Sequence, residues 1–264
     1  LKRPVITLTT DFGDHDGFVG VMKGVILGIC PDAQLVDLSH AISPQDIREA
    51  GFILQRHVWH FPPETVHLAV VDPGVGTARR PIAARIGDQI FVAPDNGLLT
   101  HPFIHAETHG WPVTVVHTDN PQYWRTQVSD TFHGRDIFAS VAAYLASGVA
   151  LNTLGEPIQD FIRLDLPQPT QTGSIWHAEV VHIDHFGNIL SNLTRGHLGA
   201  STVHNVTLGE HAITRWVATF GEAAPGTLVA QFSSHGHLEI AEVNGNAAVR
   251  LAAKVGDPLD VAIK

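Results

Sequence analysis

Three polar, glycine-rich segments carry the side chains best suited to chemistry. TTDFGDHDG (9–17) supplies Asp11, Asp14 and Asp16. Closely spaced carboxylates on one loop can gather a divalent cation, or a single one can accept both hydroxyls of a ribose. The same residues equally suit turns and helix caps. VVDPGVGTARRPI (70–82) places Asp72 at the end of an apolar run, with Arg79 near enough to fold back across the loop. Gly74 and Gly76 allow close ligand approach, although an ion pair that merely fixes the loop fits the spacing too. GVG is no dinucleotide fingerprint, since the third glycine and the following helix are missing. SDTFHGRDIFA (129–139) puts His133 at the start of a helix pattern, where the dipole disfavours imidazolium. A neutral ring there can accept a proton or orient water, and Arg135 and Asp136 read as helix-end charges paired with each other or with neighbours.

Two later segments add recognition groups. HIDHFGNILSNL (182–193) offers Phe186 as a stacking surface and Asn188 as an amide donor and acceptor, a pair able to read a purine. FGN is also an ordinary hairpin turn. QFSSHGHLEIAEVNGNAA (231–248) contributes the hydroxyls of Ser233 and Ser234 and a second turn, Asn244–Gly245–Asn246.

The elements that must position these groups change character along the chain. Residues 4–10, 33–38, 66–71, 89–93 and 113–117 read as strands. Residues 18–30 and 135–147 read as helices, the latter stopping at Gly148. Gly20, Gly24 and Gly28 share one face of the first helix, where close packing against a neighbouring element could offset their poor helix propensity. Ser43 and Pro44 open another helix, with Asp46 as in a capping box and Ile47, Ala50, Leu54 and Val58 as its apolar stripe. This alternation predicts an α/β domain whose mainly parallel sheet is covered on both faces, a three-layer arrangement. The polar stretch 165–173 reads as a linker. Short alternating segments at 176–183, 188–193, 227–232, 237–243 and 247–252 then predict an all-β barrel or sandwich. The expected domains are 1–165 and 174–264.

Composition narrows the function classes. A net charge of −10 argues against a nucleic-acid partner and mildly favours a cationic small molecule. The single cysteine, Cys30, forbids an intrachain disulfide or a multi-cysteine metal site and reads as a buried small hydrophobe. Eighteen histidines are scattered without ligand-like pairs, so no metal site is expected. No run approaches the ~20 apolar residues of a membrane span, and the N-terminal VITL is too short for a secretory segment. A cytoplasmic enzyme is the expectation.

Taken together, TLTTDFGDHDGFVGVMKGVI, VVDPGVGTARRPI, APDNGLL, TFHGRDIFA, HIDHFGNILSNL and SSHGHLEIAEVNGNAA resemble the S-adenosylmethionine (SAM) hydrolases. These are also called SAM hydroxide adenosyltransferases, and fluorinases and chlorinases are their halogenating relatives. The resemblance implies an N-terminal α/β domain, a C-terminal β-barrel domain, and a homotrimer with active sites between subunits. It implies hydrolysis of SAM to adenosine and L-methionine, with no cofactor. By the same resemblance Asp72, Arg79 and His133 are catalytic, and Asp11 binds the ribose, with Asp16 in the same substrate-binding loop. Phe186, Asn188 and backbone near Asn244 hold adenine, and Ser234 lies by the methionine end. His235 departs from the arginine that follows this serine in the fluorinase. Halogenating members carry tyrosine where Asp72 stands, and a carboxylate there repels halide but accepts a hydrogen bond from water. The alternatives are a SAM-dependent halogenase making 5′-halo-5′-deoxyadenosine, a metal-dependent phosphoesterase using Asp11, Asp14, Asp16 and His133, and a non-catalytic adenosine-binding trimer.

Overall fold

Residues 3–264 are described by a computed structural model, and the chain folds into two units, Leu1–Leu164 and Asp165–Lys264. In the first, strand residues of alternating direction feed two separate cores. Val66, Leu68 and Val70 face one core with Met22, Ile26, Val141 and Leu145. Ala69 and Val71 face the other with Leu54, Phe91 and Phe103. A sheet buried on both faces needs a helical layer on each side, and that is the arrangement found.

The strands of this unit are β1 (Val5–Thr10), β2 (Gln34–Ser39), β3 (Val66–Val70), β4 (Pro81–Ile86), β5 (Gln89–Pro94), β6 (Val113–His117) and β7 (Pro157–Ile158). The helices are α1 (Phe18–Ile29), α2 (Ile47–His57), α3 (Thr100–His109) and α4 (Ala139–Ala146). The sheet order is β2-β1-β3-β5-β4-β6-β7. Pairings from β2 to β5 are parallel, and those from β5 to β7 are antiparallel, so the sheet is mixed. The antiparallel half arises because β4 and β5 form a hairpin about Gly87 (φ 58°). The motif-rich sequence 70–82 hid β4 behind its loop chemistry.

Two local expectations need correction, and the first helix shows an open face. Helix α2 begins after Asp46, whose carboxylate accepts the Glu49 N–H, while the Glu49 carboxylate accepts from the Ser43 N–H. Asp46 is therefore the cap, and Ser43 lies outside the helix. The helix expected over 135–147 opens with a π-turn at Gly134–Phe138 before α4. On α1, a Cβ added at Gly20, Gly24 or Gly28 would meet nothing within 4 Å. The glycine face is open, with Val21 and Leu27 also exposed on this helix.

The second unit contains β8 (Thr170–Thr172), β9 (Ile175–Ile183), β10 (Ile189–Thr194), β11 (Val203–Leu208), β12 (His211–Ile213), β13 (Leu228–Phe232), β14 (His237–Glu242) and β15 (Pro258–Ile263). Its order is β12-β11-β15-β9-β10-β14-β13, with β8 beside β9. A bridge from Trp216 to Ala230 on β13 brings the segment after β12 back to the far edge, giving a nearly closed barrel. Strand β8 lies within the stretch expected to be linker. Residues 247–252 are not a strand: Asn246 caps the short helix α6 (Ala247–Leu251) by accepting the Val249 N–H. A second short helix, α5 (Arg195–Leu198), follows β10. Among the described residues, no helix is long and apolar enough to cross a membrane.

Candidate active site

Parallel pairing sets two of the three loops side by side. Strand β3 lies against β1 with Thr10 opposite Val70, so Asp11 and Asp72 leave neighbouring strands at the same edge. The loop 71–80 then returns into β4, and Arg79 donates from Nε to Asp72 Oδ1 (3.0 Å) and from Nη2 to Oδ2. Both side chains are nearly closed to solvent, at 5% exposed for Asp72 and 6% for Arg79. A buried charge needs a partner, and this forked pair supplies one with the geometry a carboxylate prefers.

The third loop brings His133 to the same place. Arg79 Nη2 lies 3.1 Å from His133 Nδ1. A guanidinium can only donate, so Nδ1 accepts, and a neutral ring must carry its proton on Nε2. Burial lowers the His133 pKa, the Arg79 charge lowers it further, and Asp72, Asp136 and Asp130 oppose the shift. The imidazole is accordingly neutral near pH 7.

Asp72 and His133 line a cavity of about 450 Å³ together with Phe12, Phe18, Val70, Ser129, Phe132 and Arg135. The three phenylalanines meet edge to face at 5.3–5.9 Å, forming an aromatic wall beside the polar cluster. The loops bearing Asp72 and His133 also touch directly: Gly76 (φ 76°) lies so close to the Asp130 carbonyl that a Cβ would overlap it. The catalytic trio expected from sequence is thus brought together.

Other expected residues are placed less uniformly. Asp11 accepts a hydrogen bond from the Gln45 N–H (2.8 Å) and precedes the cavity-lining Phe12. Asp14 and Asp16 are exposed, and Asp16 pairs only loosely with His15 at 3.4 Å. Among the described residues, no three His, Cys, Asp or Glu side chains are arranged to hold a metal ion.

In the second unit Phe186 stands 70% exposed on a fixed turn. Asp184 fixes it: Oδ1 accepts the N–H groups of Phe186 and Asn188, and Oδ2 accepts from the Asn188 amide, each at 2.9 Å. Asp184 went unnoticed in the sequence, although an aspartate two residues before a phenylalanine–glycine turn is a recognisable Asx-type signal. The Asn244 turn packs alongside, since a Cβ at Gly187 would collide with Asn246, and the Ala248 N–H reaches the Gly187 carbonyl. Asn244 itself is exposed with φ 54°. Ser234 is not part of this group. It sits in the turn before β14 with its hydroxyl 3.0 Å from His235 Nδ1, whereas Asn244 follows β14. Six strand residues separate the two ends, roughly 20 Å of extended chain.

Comparison with known proteins agrees with the fold and gives the family. The model of the SAM hydroxide adenosyltransferase N-terminal domain matches residues 6–155, and that of the C-terminal domain matches residues 178–260. A protein of Salinispora tropica named (R)-S-adenosyl-L-methionine hydrolase is 40% identical, covering 98% of this chain and 97% of its own. A fluorinase of an Actinoplanes species is 30% identical over 90% of this chain and 91% of its own. A crystal structure of a conserved Thermotoga maritima protein superposes with a TM-score of 0.90 at 36% identity, over 97% of this chain and 99% of that one. This chain belongs to the SAM hydroxide adenosyltransferase family.

Proposed function

We propose that the chain is a SAM hydrolase in which water displaces methionine from the ribose 5′ carbon, releasing adenosine and L-methionine. The carrying observation is the meeting of two loops at one cavity: Asp72 and His133 line it, and Arg79, on the loop of Asp72, bonds to both. The full-length similarity to proteins named as hydrolases supports the same activity.

The sulfonium is already a good leaving group, so the task is to hold a water in line with the carbon–sulfur bond at roughly 3–3.5 Å. Each Asp72 oxygen has a second acceptor position beyond its bond to Arg79, and one of them takes a hydrogen from the water. His133 Nε2–H donates to the water oxygen. The remaining lone pair then faces C5′. As the new C–O bond forms, the C–S pair leaves with sulfur, giving a neutral thioether. Asp72 takes the water proton and passes it to solvent. His133 acts here as a donor that aligns water, and Asp72 alone is the acceptor. Arg79 fixes both and offsets charge on the developing hydroxide.

Asp11 is assigned to the ribose hydroxyls, and Phe186, Asn188 and the backbone near Asn244 to adenine. The active form is proposed as a homotrimer with sites between subunits. The open apolar face of α1, with Val21 47% and Leu27 43% exposed, supports association of copies. Incubation with SAM in ¹⁸O-water tests the activity, and because the relatives are named for the (R) sulfonium, both epimers belong in the assay. Labelled adenosine plus methionine is the expected result; unlabelled or halogenated nucleoside would overturn it.

A further inference from the structure

The loop carrying His133 has little regular structure between Tyr123 and His133. Its N–H groups and charges need acceptors that no ladder provides. One residue outside the proposed catalytic trio supplies several of them. The Asp136 side chain has no exposure. Its Oδ1 accepts from Arg135 Nε (2.6 Å), and its Oδ2 accepts from Arg135 Nη2 (2.8 Å) and from the Ser129 N–H (2.9 Å). Arg125 Nε adds a contact at 3.3 Å. The Asp136 carbonyl accepts the Arg125 N–H, and its own N–H reaches the Phe132 carbonyl. Residues 125, 129, 132 and 135 are therefore tied to a single point. Ser129, Phe132 and Arg135 line the cavity with His133, and the Arg135 guanidinium lies 5.1 Å over the Phe132 ring. Burial pushes the Asp136 carboxyl up, but its bonds to Arg135 and Ser129 and the charges of Arg135 and Arg125 hold it below its ordinary value.

We propose that Asp136 is the positioning residue of this site: its buried carboxylate sets the loop that presents His133 to the reacting water. Asp136 lies within the π-turn Gly134–Phe138 that His133 caps, a local widening of a helix that often accompanies function. The inference rests on the hydrolase assignment. An asparagine is nearly isosteric, but it has one acceptor oxygen where the carboxylate has two, and it turns an NH₂ toward donors.

The test uses the full chain. Asp136→Asn is compared with wild type for SAM turnover and for the NMR titration of histidine-labelled protein, with His133→Gln assigning the His133 signal. The expected kcat loss is about 10- to 100-fold, as for small misplacements of a reacting group. KM should stay within about threefold, since no substrate contact is removed. His133 should titrate at lower pH, because one of the carboxylates that favour its protonated form is gone while Asp72, Asp130 and Arg79 remain. Unchanged kcat in a folded Asp136→Asn enzyme would overturn the proposal, whether or not the His133 titration moves with the lost charge. If Asp136→Asn does not fold by circular dichroism, Arg125→Met decides. It removes one cation from the carboxylate at a half-exposed side chain; reduced kcat supports the role, and wild-type kcat overturns it. Absence of SAM turnover in the wild-type chain would instead reject the hydrolase assignment, so the two failures are distinct.

Discussion

Gly76→Ala tests whether the apposition of the loops bearing Asp72 and His133 governs turnover. Gly76 lies between Asp72 and Arg79 with φ 76°, and the added methyl would fall on the Asp130 carbonyl oxygen, three residues before His133. Left-handed backbone costs an L-residue about 1–2 kcal/mol. Overlap with a backbone atom cannot be relieved by a rotamer change, so the total should reach about 2–4 kcal/mol. For a unit of this size each kcal/mol lowers Tm by about 2–4 °C, giving a fall of roughly 4–16 °C. The cheapest relief is for the loops to part by a few tenths of an ångström to 1 Å, which strains the 3.1 Å Arg79–His133 contact and should lower kcat about 100-fold. Gly74→Ala is the control: its Cβ would meet Arg79 and Thr77 at ordinary distances of 3.5 Å with no positive φ. Thermal scans and chromatographic assay of adenosine release measure both effects. A Gly76→Ala enzyme that loses stability yet keeps wild-type kcat would refute the idea that loop apposition sets the chemistry.

Other perturbations separate the proposed roles. His133→Ala should lower kcat by about 100-fold or more, while His133→Gln, which retains an N–H donor, should recover at least about tenfold of that; equal rates in the two would return His133 to the role of base. Asp184→Ala leaves two turn amides and the Asn188 side chain without their acceptor, so KM should rise about tenfold with kcat nearly unchanged, as steady-state kinetics would report. His67 tests the fold without touching the site: burial lowers its pKa from 6.5 to about 4, with Gln89 opposing. The unfolded chain binds that proton first, so this stabilisation is full above pH 6.5 and is lost as pH falls from 6.5 toward about 4. Urea unfolding should show that slope, and His67→Gln should flatten it.

The sequence disclosed most where local chemistry and long-range pairing coincide. Asp72 ends an apolar strand and Arg79 lies one loop away, so the pair was legible from spacing, and His133 from its place at a helix start. Strand β4 was not, because its residues follow directly on a loop crowded with glycine, proline and arginine, and its partner lies across a two-residue turn. The error at 247–252 has a similar cause: Ala, Val and Leu alternate there with no period long enough to separate strand from helix, and the deciding cap, Asn246, also read as part of a turn. Asp46 displaced Ser43 as the cap of α2 because Gln45 adopts φ 66°, a turn that sequence propensity does not announce. Asp136 and Asp184 were visible as residues but silent as organisers. What each one holds is a set of amides and side chains near in space, and hydrophobic period carries no record of hydrogen bonds made by an irregular loop.

In the hydrolase proposed above, a preference for water over halide follows from the direction of hydrogen bonds more than from charge. A lone carboxylate would repel chloride or fluoride, but Asp72 is clasped by a guanidinium on both oxygens, so the pair is close to neutral and its field on an anion in the cavity is weak. What persists is that Asp72 can only accept, while His133, with Nδ1 occupied by Arg79, can only donate. A halide placed between them satisfies the imidazole and leaves the carboxylate facing another acceptor, an arrangement that is costly in a buried site. Water is both donor and acceptor and satisfies the two at once. Arg79 is thus needed twice: it removes the charge that would make the pocket merely anion-averse, and it fixes the tautomer that makes it selective for a molecule with both hydrogens and lone pairs.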